Sequence, residues 1–211
     1  MARRFNIDST APSTELIEKS REIISNGGIL LSPTDTIYGL ACDPFQRSAV
    51  SRLCKLKGRS TAKGFLLLIP DDAWVRRLAK RVPKSFLYLR NFWPGPVTFL
   101  FEAGTDAPEG IVSVEGKIGF RVPKNAFLQE LLGQLGRPIL STSANISDAD
   151  TPFEEDELVQ IFLNSVDLIL LENDPASEAA STVVDLTTDQ PILVREGILG
   201  KEIRELLENS I

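Results

Sequence analysis

Short runs of consecutive apolar residues alternate along the chain with segments in which apolar residues recur every three or four positions. The runs are typical of buried strands, and the spaced positions are typical of amphipathic helices. The predicted strands cover 29–32, 65–69, 97–101, 117–122, 138–140, 166–171, 182–186 and 192–195. The predicted helices begin at or near residues 13, 46, 72, 83, 125, 154 and 201. This alternation predicts an α/β protein with a mixed, twisted open sheet and helices on both of its faces.

Cap and stop residues mark the ends of the predicted helices. Ser13 or Thr14 is placed to cap the first helix, and Gly27-Gly28 ends it. Gly58 stops the second helix, and Asn125 caps the fifth. We find no repeat, low-complexity tract or linker, so we predict a single domain over 1–211. The loop 173–181 is the segment that we expect to move most.

Composition favours a globular cytoplasmic protein. The 211 residues are 43% apolar and 25% charged, as in ordinary soluble domains. No apolar run reaches the length of a membrane span, and residues 1–8 lack the apolar core of a secretion signal. Cys42 and Cys54 lack the spacing of a metal site or disulfide scaffold. We therefore expect a reducing compartment and no membrane partner.

The chain contains no histidine. This excludes Ser-His-Asp and Cys-His catalysis in their usual forms and zinc sites with imidazole ligands. Proton transfer would have to use Lys, Asp, Glu, Tyr, water or the substrate. Catalysis by positioning and by charge neutralisation is compatible with this composition.

Charge is unevenly distributed around a net value of −6. Residues 46–70 carry six basic side chains and no acid, whereas 138–194 carry twelve acids and no Lys or Arg. The overall acidity argues against a general nucleic-acid binder. A basic island in an acidic protein indicates one locally held anionic ligand.

The apolar run 29–31 leads into the stretch 31–40. This stretch contains the polar residues Thr34, Asp35, Thr36 and Tyr38. Ligands in α/β proteins bind beyond the carboxyl ends of strands, so these polar groups are candidates for a binding site. An ordinary turn is the alternative, because Pro and Asp are common turn residues.

Two further segments carry groups suited to phosphate. Lys57-Gly58-Arg59 lies at the end of the second helix, with Lys63 four residues beyond Arg59. Arg and Lys suit nucleotide phosphates, although a solvated basic helix end has the same composition. The second segment is the Ser/Thr-rich loop 141–147, whose hydroxyls could face an anion or cap a helix.

Arg121 and Arg195 each lie at the end of a predicted strand. Two arginines in such positions could bind a carboxylate and a phosphate. Alternatively, they are charged residues at strand ends without a ligand. Trp93, within Trp-Pro-Gly-Pro, is interpreted as a core or rim residue rather than a stacking platform.

Taken together, these motifs resemble the YrdC-like (TsaC) family. The resemblance spans nearly the whole chain, and its motifs occur in the family's order. The matching segments are Pro-Thr-Asp-Thr-Ile-Tyr-Gly-Leu at 33–40, Lys-Gly-Arg at 57–59 with Lys63, Trp-Pro-Gly-Pro-Val-Thr at 93–98, Arg-Val-Pro at 121–123, Ser-Ala-Asn-Ile-Ser at 143–147, Ser-Thr-Val-Val-Asp at 181–185 and Arg-Glu-Gly at 195–197.

The resemblance implies a twisted α/β fold with a deep, positively lined cleft. It implies formation of L-threonylcarbamoyladenylate and pyrophosphate from L-threonine, bicarbonate and ATP with Mg²⁺. The product would serve the N6-threonylcarbamoyladenosine modification at position 37 of tRNA, with tRNA threonylcarbamoyl-transferase proteins as partners.

Site residues follow from the same match. Lys57 and Arg59 would be catalytic, and Thr36, Arg121 and Ser181 would hold threonine. ATP would be held by Arg59, Lys63, Ser143, Asn145, Thr151 and Arg195.

The chain departs from the family pattern at several places. Lys117 stands where members often carry a Thr that touches ATP, and Asp-Ala-Asp at 148–150 follows Ser147 in place of a Gly. No Gly-rich run precedes Ser181, and Glu196 replaces the commoner Pro. The last feature resembles YciO-type paralogues, which tend to lose the Lys-x-Arg and Ser-x-Asn residues kept here. The alternatives are a YciO-like paralogue without adenylate synthesis, a protein that binds double-stranded RNA or tRNA weakly, and a small-molecule binding domain without catalysis.

Overall fold

The computed structural model describes residues 1–58, 65–146, 154–172 and 179–209. Within these ranges ten strands form one sheet. In chain order, the strands β1 to β10 are Arg3–Asn6, Leu30–Ser32, Gly39–Cys42, Leu66–Leu68, Val97–Glu102, Lys117–Arg121, Ile139–Ser143, Leu168–Leu171, Thr182–Asp185 and Ile192–Arg195.

Seven α-helices accompany the sheet in the described part of the chain. In chain order, the helices α1 to α7 are Thr14–Ser25, Arg47–Lys57, Ala73–Leu78, Phe86–Leu89, Ala126–Leu135, Glu155–Phe162 and Gly200–Glu208, and a short 3₁₀ helix spans Arg90–Phe92. None of these helices is long and apolar enough to cross a bilayer.

The strand order is β1-β8-β2-β3-β7-β4-β6-β5-β9-β10. Parallel pairs join β1 to β8, β2 to β8, β4 to β6 and β5 to β9. The remaining neighbours are antiparallel. The predicted α/β class, with a single domain and a mixed, twisted open sheet, is therefore confirmed.

Side chains at alternating strand positions belong to two apolar clusters, one on each face of the sheet. Leu31, Leu67 and Ile169 belong to the larger cluster, with apolar residues of α2, α3, α6 and α7. Leu30, Leu68 and their same-face neighbours belong to the smaller one, with α1 and α5. Helices therefore cover both faces, as the sequence indicated.

The smaller cluster covers only part of its face. Its strand residues lie on β2, β3, β4, β7 and β8, with Phe5 of β1 packed against them. On β5, β6 and β9 the positions that point to this same side do not join the cluster. They line a cleft instead, together with Ser181, which directly precedes β9, and they include Thr98, Leu100, Gly119, Arg121 and Val183. The cleft thus lies where the cover formed by α1 and α5 ends.

Most helix ends follow the predicted signals. Ser13 caps α1, Gly58 ends α2 in the left-handed conformation with a φ of 59°, and the Asn125 side chain caps α5. Trp93 is half-buried at the rim of the core, where its Nε1 donates to the Val97 carbonyl at 2.6 Å and its ring packs against Phe99.

Several predicted boundaries are wrong. The strands β1 and β3 were not predicted, because Phe5 is the one apolar residue of Arg3–Asn6 and Gly39–Cys42 begins in a polar stretch. The loop predicted from residue 141 starts later, since β7 runs to Ser143 and pairs with both β3 and β4. Tertiary pairing overrides weak local strand propensity in these segments.

The two side-chain caps provide a matched test of helix stability. The Asn125 Oδ1 accepts from the buried Leu128 N–H at 3.0 Å, whereas the exposed Ser13 cap is 3.4 Å long. We expect Asn125→Ala to lower the free energy of unfolding by about 1–2 kcal/mol and Ser13→Ala by about 0.5 kcal/mol. Urea denaturation of both variants measures this, and equal losses would contradict the contribution of burial.

Candidate functional site

The cleft has a volume of about 690 Å³. Strands β5, β6 and β9 form its floor, and Thr34 and residues 36–39 together with residues 141–143 form one wall. Gly39 permits this wall to approach closely, because a Cβ there would lie 3.2 Å from the Ser141 Oγ. The polar stretch and the Ser/Thr-rich segment predicted as sites therefore line one cavity.

Arg121 lies at what we call the inner end of the cleft, and it is only 3% exposed. Its guanidinium donates to the Thr36 Oγ1 at 3.0 Å and forms an ion pair with Asp35. The Arg121 Nε is buried without a hydrogen-bond partner. Burial lowers the pKa of Arg121, and Asp35 only partly offsets this. The side chain is thus held rigidly, with one donor still to be satisfied.

Local contacts of residues 34–36 fix the position of Thr36. The Thr34 Oγ1 donates to the Ile37 carbonyl at 2.8 Å and accepts from the Thr36 N–H at 2.9 Å. The Asp35 Oδ2 accepts from the Lys124 N–H at 2.9 Å. These bonds form a compact polar turn after β2, and they orient both partners of Arg121.

Tyr38 has a structural role in the wall. Its hydroxyl accepts from the Glu172 N–H at 2.8 Å, and its side chain is 3% exposed. Burial is the main cause that raises the pKa of Tyr38 to about 12. Tyr38 therefore holds β8 against the wall and is no candidate for proton transfer near neutral pH.

Arg195 approaches the inner end from β10. Its Nε donates to the Ser181 carbonyl and its Nη2 to the Ser181 Oγ, both at 3.0 Å. The Ser181 Oγ also lies 3.0 Å from the Thr98 Oγ1. Burial lowers the pKa of Arg195, and the nearby positive charge of Arg121 lowers it further. Within the described residues, no carboxylate pairs with Arg195.

Gly197 allows Arg195 to reach this position. A Cβ at Gly197 would lie 2.2 Å from the Ala180 carbonyl oxygen and 2.5 Å from the Thr182 nitrogen. The Gly197 N–H also donates to the Thr182 Oγ1 at 3.2 Å. Only glycine fits against the backbone of residues 180–182, so the Arg-Glu-Gly motif serves the placement of Arg195.

Lys57 joins α2 to the wall of the cleft. Its Nζ donates to the Ser143 carbonyl at 2.8 Å and to the Asn145 Oδ1 at 2.6 Å. The Ser143 Oγ lies 2.6 Å from the same Asn145 oxygen. Lys57 is 2% exposed, and Ser143, rather than Lys57, lines the cleft. The ammonium therefore lies behind Ser143 and orients it.

The structure brings together most of the residues singled out from the sequence. Thr36, Arg121, Ser181 and Arg195 converge at the inner end of the cleft, and Lys57, Ser143 and Asn145 form a second group on its wall. Arg59, Lys63, Thr151 and most of the loop 173–181 lie outside the described residues.

Sequence reasoning missed several members of the site. Thr98 and Asp185 lie within quoted motifs but were given no role, and Asp35 was not recognised as the partner of Arg121. Lys117 was noted only as a departure, whereas it lies in the cleft and forms ion pairs with Glu115 and Asp185. The available signal was the alternation along β6, which puts Lys117, Gly119 and Arg121 on one face.

Comparison with known proteins adds three findings. Residues 22–197 match the model of the Sua5/YciO/YrdC family, described as telomere recombination. The chain is 32% identical over 200 residues to the uncharacterized protein YciO of Escherichia coli K12, covering 94% of this chain and 97% of that protein. It is 31% identical over 193 residues to the threonylcarbamoyl-AMP synthase of Coxiella burnetii, covering 90% and 97%.

Solved structures agree with the fold. The Escherichia coli YciO crystal structure superposes with a TM-score of 0.86 at 31% identity, covering 94% of this chain and 97% of that chain. Pyrococcus abyssi Sua5 complexed with L-threonine superposes with a TM-score of 0.91 at 27% identity, covering 100% of this chain and 62% of that chain.

The fold and the site define a mixed α/β protein whose cleft presents two arginines, the buried Arg121 and the exposed Arg195, together with hydroxyl groups to a ligand. The extent of the family match and the relatives at 30% identity or more establish the family. The chain belongs to the Sua5/YciO/YrdC family.

Proposed function

We propose that the protein is a cytoplasmic L-threonylcarbamoyladenylate synthase that uses L-threonine, bicarbonate and ATP for tRNA modification. The observation that carries this proposal is the convergence of Arg121 and Arg195 at one end of the cleft. Between them they have one carboxylate partner among the described residues, Asp35. Arg121 is buried, whereas Arg195 is exposed at the cleft, and a net positive charge at one end of a cleft attracts an anionic ligand.

The inner end suits the carboxylate and hydroxyl of threonine. Arg121 has an unsatisfied Nε; the Thr36 hydroxyl is held against Arg121, and the Ser181 hydroxyl is held against Arg195. A guanidinium with neighbouring hydroxyls is a common carboxylate site. Pyrococcus abyssi Sua5, which has the same fold, was crystallised with L-threonine, and this supports the assignment of Thr36, Arg121 and Ser181 to threonine.

The wall group suits the phosphates of ATP. Ser143 lines the cleft, and Lys57 donates to its carbonyl and to Asn145. We assign Ser143, Asn145 and Arg195 to ATP, together with Arg59, Lys63 and Thr151 outside the described residues. Lys57 and Arg59 would stabilise negative charge that develops on the phosphates, which is the largest contribution expected in such a reaction.

The proposed chemistry needs no side chain that transfers protons at neutral pH. The threonine amine and bicarbonate form a carbamate with loss of water. A carbamate oxygen then attacks the α-phosphorus of ATP, and pyrophosphate leaves. Both steps depend on holding reactants in line and on neutralising charge. A histidine-free chain with fixed Arg and Lys side chains meets this requirement.

Mg²⁺ is proposed to accompany ATP rather than to occupy a protein site. Among the described residues, no group of three or more Asp, Glu or Cys side chains could hold a metal ion. Glu115 and Asp185, the carboxylates that line the cleft, are bound to Lys117. Mg²⁺ commonly binds through substrate phosphates and retains several waters, and its charge would assist departure of pyrophosphate.

Release of pyrophosphate from ATP tests the proposal. We expect release by the purified protein only when L-threonine and bicarbonate are both present. ATP binding without release would favour a YciO-like paralogue, the alternative supported by 32% identity to that protein. RNA affinity that falls steeply with salt, without release, would favour an RNA-binding protein.

A further inference from the structure

The motif Trp-Pro-Gly-Pro at 93–96 has no role in the activity proposed above, and none of its residues lines the cleft. Trp93 and Pro94 instead line a cavity of about 430 Å³, which we call the second pocket. A volume of this size is typical of small-ligand sites. Among the described residues, the cleft and the second pocket have no lining residue in common. The second pocket is therefore a separate candidate binding site.

The second pocket lies at the carboxyl ends of the parallel strands β4 and β6. Pro70 follows the end of β4 by two residues, and Val122 directly follows β6. Ligands of open α/β sheets bind at such strand ends. Arg121 lines the cleft whereas Val122 lines the second pocket, because successive residues of a strand point to opposite faces. The fold thus presents two cavities on either side of one strand end.

The apolar part of the lining is held rigidly. The Gly95 N–H donates to the Val122 carbonyl at 2.9 Å, which fixes the segment after Trp93 against the end of β6. A Cβ at Gly95 would lie 2.5 Å from the Phe92 carbonyl oxygen, so only glycine permits this turn. The Trp93 ring packs edge-on against Phe86, with 5.4 Å between the ring centroids. The indole is therefore in place before any ligand arrives.

The polar part of the lining offers hydrogen-bond acceptors. The Asp71 Oδ1 accepts from the backbone at the start of α3 at 2.9 Å, and the Asp72 Oδ2 accepts from the Arg90 Nη1 at 2.8 Å. The Gln129 Nε2 donates to the Pro123 carbonyl at 2.7 Å. Within the described residues, no hydrogen bond engages the second oxygen of either carboxylate or the Gln129 Oε1. These three acceptors are open to a ligand that donates.

The charge of the second pocket favours a ligand with one positive charge. Asp71, Asp72 and Arg90 are the charged members of its described lining, so they leave one net negative charge. The side chains of Arg90 and Asp72 are 45% and 34% exposed, and an ion pair so exposed contributes little energy. Arg76 and Arg77 follow on α3 but lie outside the lining. Their charges disfavour a ligand with several positive groups.

We propose that the second pocket binds the guanidinium group of an arginine side chain that is exposed on a partner protein. A guanidinium presents five N–H donors in one plane, which suits the open oxygens of Asp71, Asp72 and Gln129. Its flat face would lie against the Trp93 indole, as in cation–π contacts. The apolar stem of the arginine would pack on Pro94 and Val122.

The lining favours an arginine within a polypeptide over free arginine as the source of this group. Free arginine adds a carboxylate and an ammonium to the guanidinium. Arg90 is the one cationic side chain of the described lining, and it is already paired with Asp72. The extra carboxylate would therefore have no free cation to bind. This inference does not depend on the proposed synthase function.

Titration with N-acetyl-L-arginine methylamide, which represents an arginine within a chain, tests the proposal. The protein has two tryptophans, so Trp74→Phe leaves Trp93 as the sole tryptophan fluorophore. We expect its emission to change saturably with a Kd of about 1 mM, as for one charged group at an exposed aromatic site. N-acetyl-L-citrulline methylamide has nearly the same shape without the charge, and it should bind at least about tenfold more weakly.

Substitution of the carboxylates tests their role. Asp71→Asn and Asp72→Asn should each weaken binding of the arginine amide by about three- to tenfold, because a charge-assisted hydrogen bond is lost. Asp189→Asn is the matched control, since Asp189 is also paired with an arginine, Arg81, at 2.8 Å but lies outside the lining. Should Trp74→Phe be unstable, the NMR shift of the Trp93 indole N–H in the wild-type protein reports the same binding.

The proposal would be overturned if neither measurement changed saturably up to about 10 mM arginine amide. Equal binding of the citrulline amide would overturn it too, as would unchanged affinity in both carboxylate variants. Free L-arginine that binds at least about tenfold more tightly than the amide would overturn the assignment to a partner's side chain. Asp72→Asn should leave pyrophosphate release unchanged, so failure of the synthase function and failure of this site are distinguishable.

Discussion

Lys57→Met is expected to lower the rate of pyrophosphate release at saturating substrates by about 100-fold, because a displacement of about 1 Å in the groups that Lys57 orients can cost that much. Lys57 holds Ser143 and Asn145 in place and adds a positive charge behind them. Methionine keeps the apolar stem and removes only the ammonium. We therefore expect turnover to fall far more than the free energy of unfolding.

Lys55→Met is the matched control for this prediction. Lys55 lies in the last turn of the same helix and is exposed, so the substitution makes the same chemical change without touching the wall. Turnover of this variant should stay within about twofold of wild type. Unchanged turnover in Lys57→Met, or equal losses in the two variants, would rule out the assigned role of Lys57.

Arg121→Met should raise the KM for threonine by about 30-fold or more, because truncation of one partner of a buried charge pair costs about 2–5 kcal/mol. The substitution removes the guanidinium that contacts Thr36 and faces the cleft. Arg121→Lys should recover little, because a lysine cannot contact Thr36 and Asp35 in the same forked geometry. Initial rates of pyrophosphate release over a range of threonine concentrations measure both effects.

Loss of stability must be separated from loss of threonine binding in this variant, since Asp35 is left buried without its partner. Arg137→Met provides the comparison. Arg137 pairs at 2.8 Å with Asp43, whose side chain is 1% exposed, and neither residue lines the cleft. Both variants should unfold at lower urea concentrations, but only Arg121→Met should change the KM for threonine. A similar change in both would mean that the effect is structural.

Local sequence signals predicted the parts of the site that lie within single segments. The glycine that ends α2 locates Lys57, and the apolar run before residue 34 locates the polar turn at the end of β2. Hydroxyl-rich segments after apolar runs identified Thr36 and Ser143 as candidates. These signals are local because they arise from backbone conformation and from the alternation of buried and exposed positions.

The contacts between segments could not be read from spacing. Lys57 reaches Ser143 across 86 residues, and Arg121 reaches Asp35 across the same separation. Both contacts depend on the sheet order, which brings β7 between β3 and β4. That order in turn uses β3, a strand with weak local propensity, so pattern analysis missed the element that connects the two halves of the wall.

The sequence by itself determined the α/β class, the helix ends and the residue types available for chemistry, including the absence of histidine. Only the tertiary structure decided which polar residues meet and that the cover of α1 and α5 stops short of β5, β6 and β9. The physical reason is that helix caps and side-chain alternation act over a few residues. The position and charge of the cleft depend on strand register and on packing between segments that are far apart in the chain.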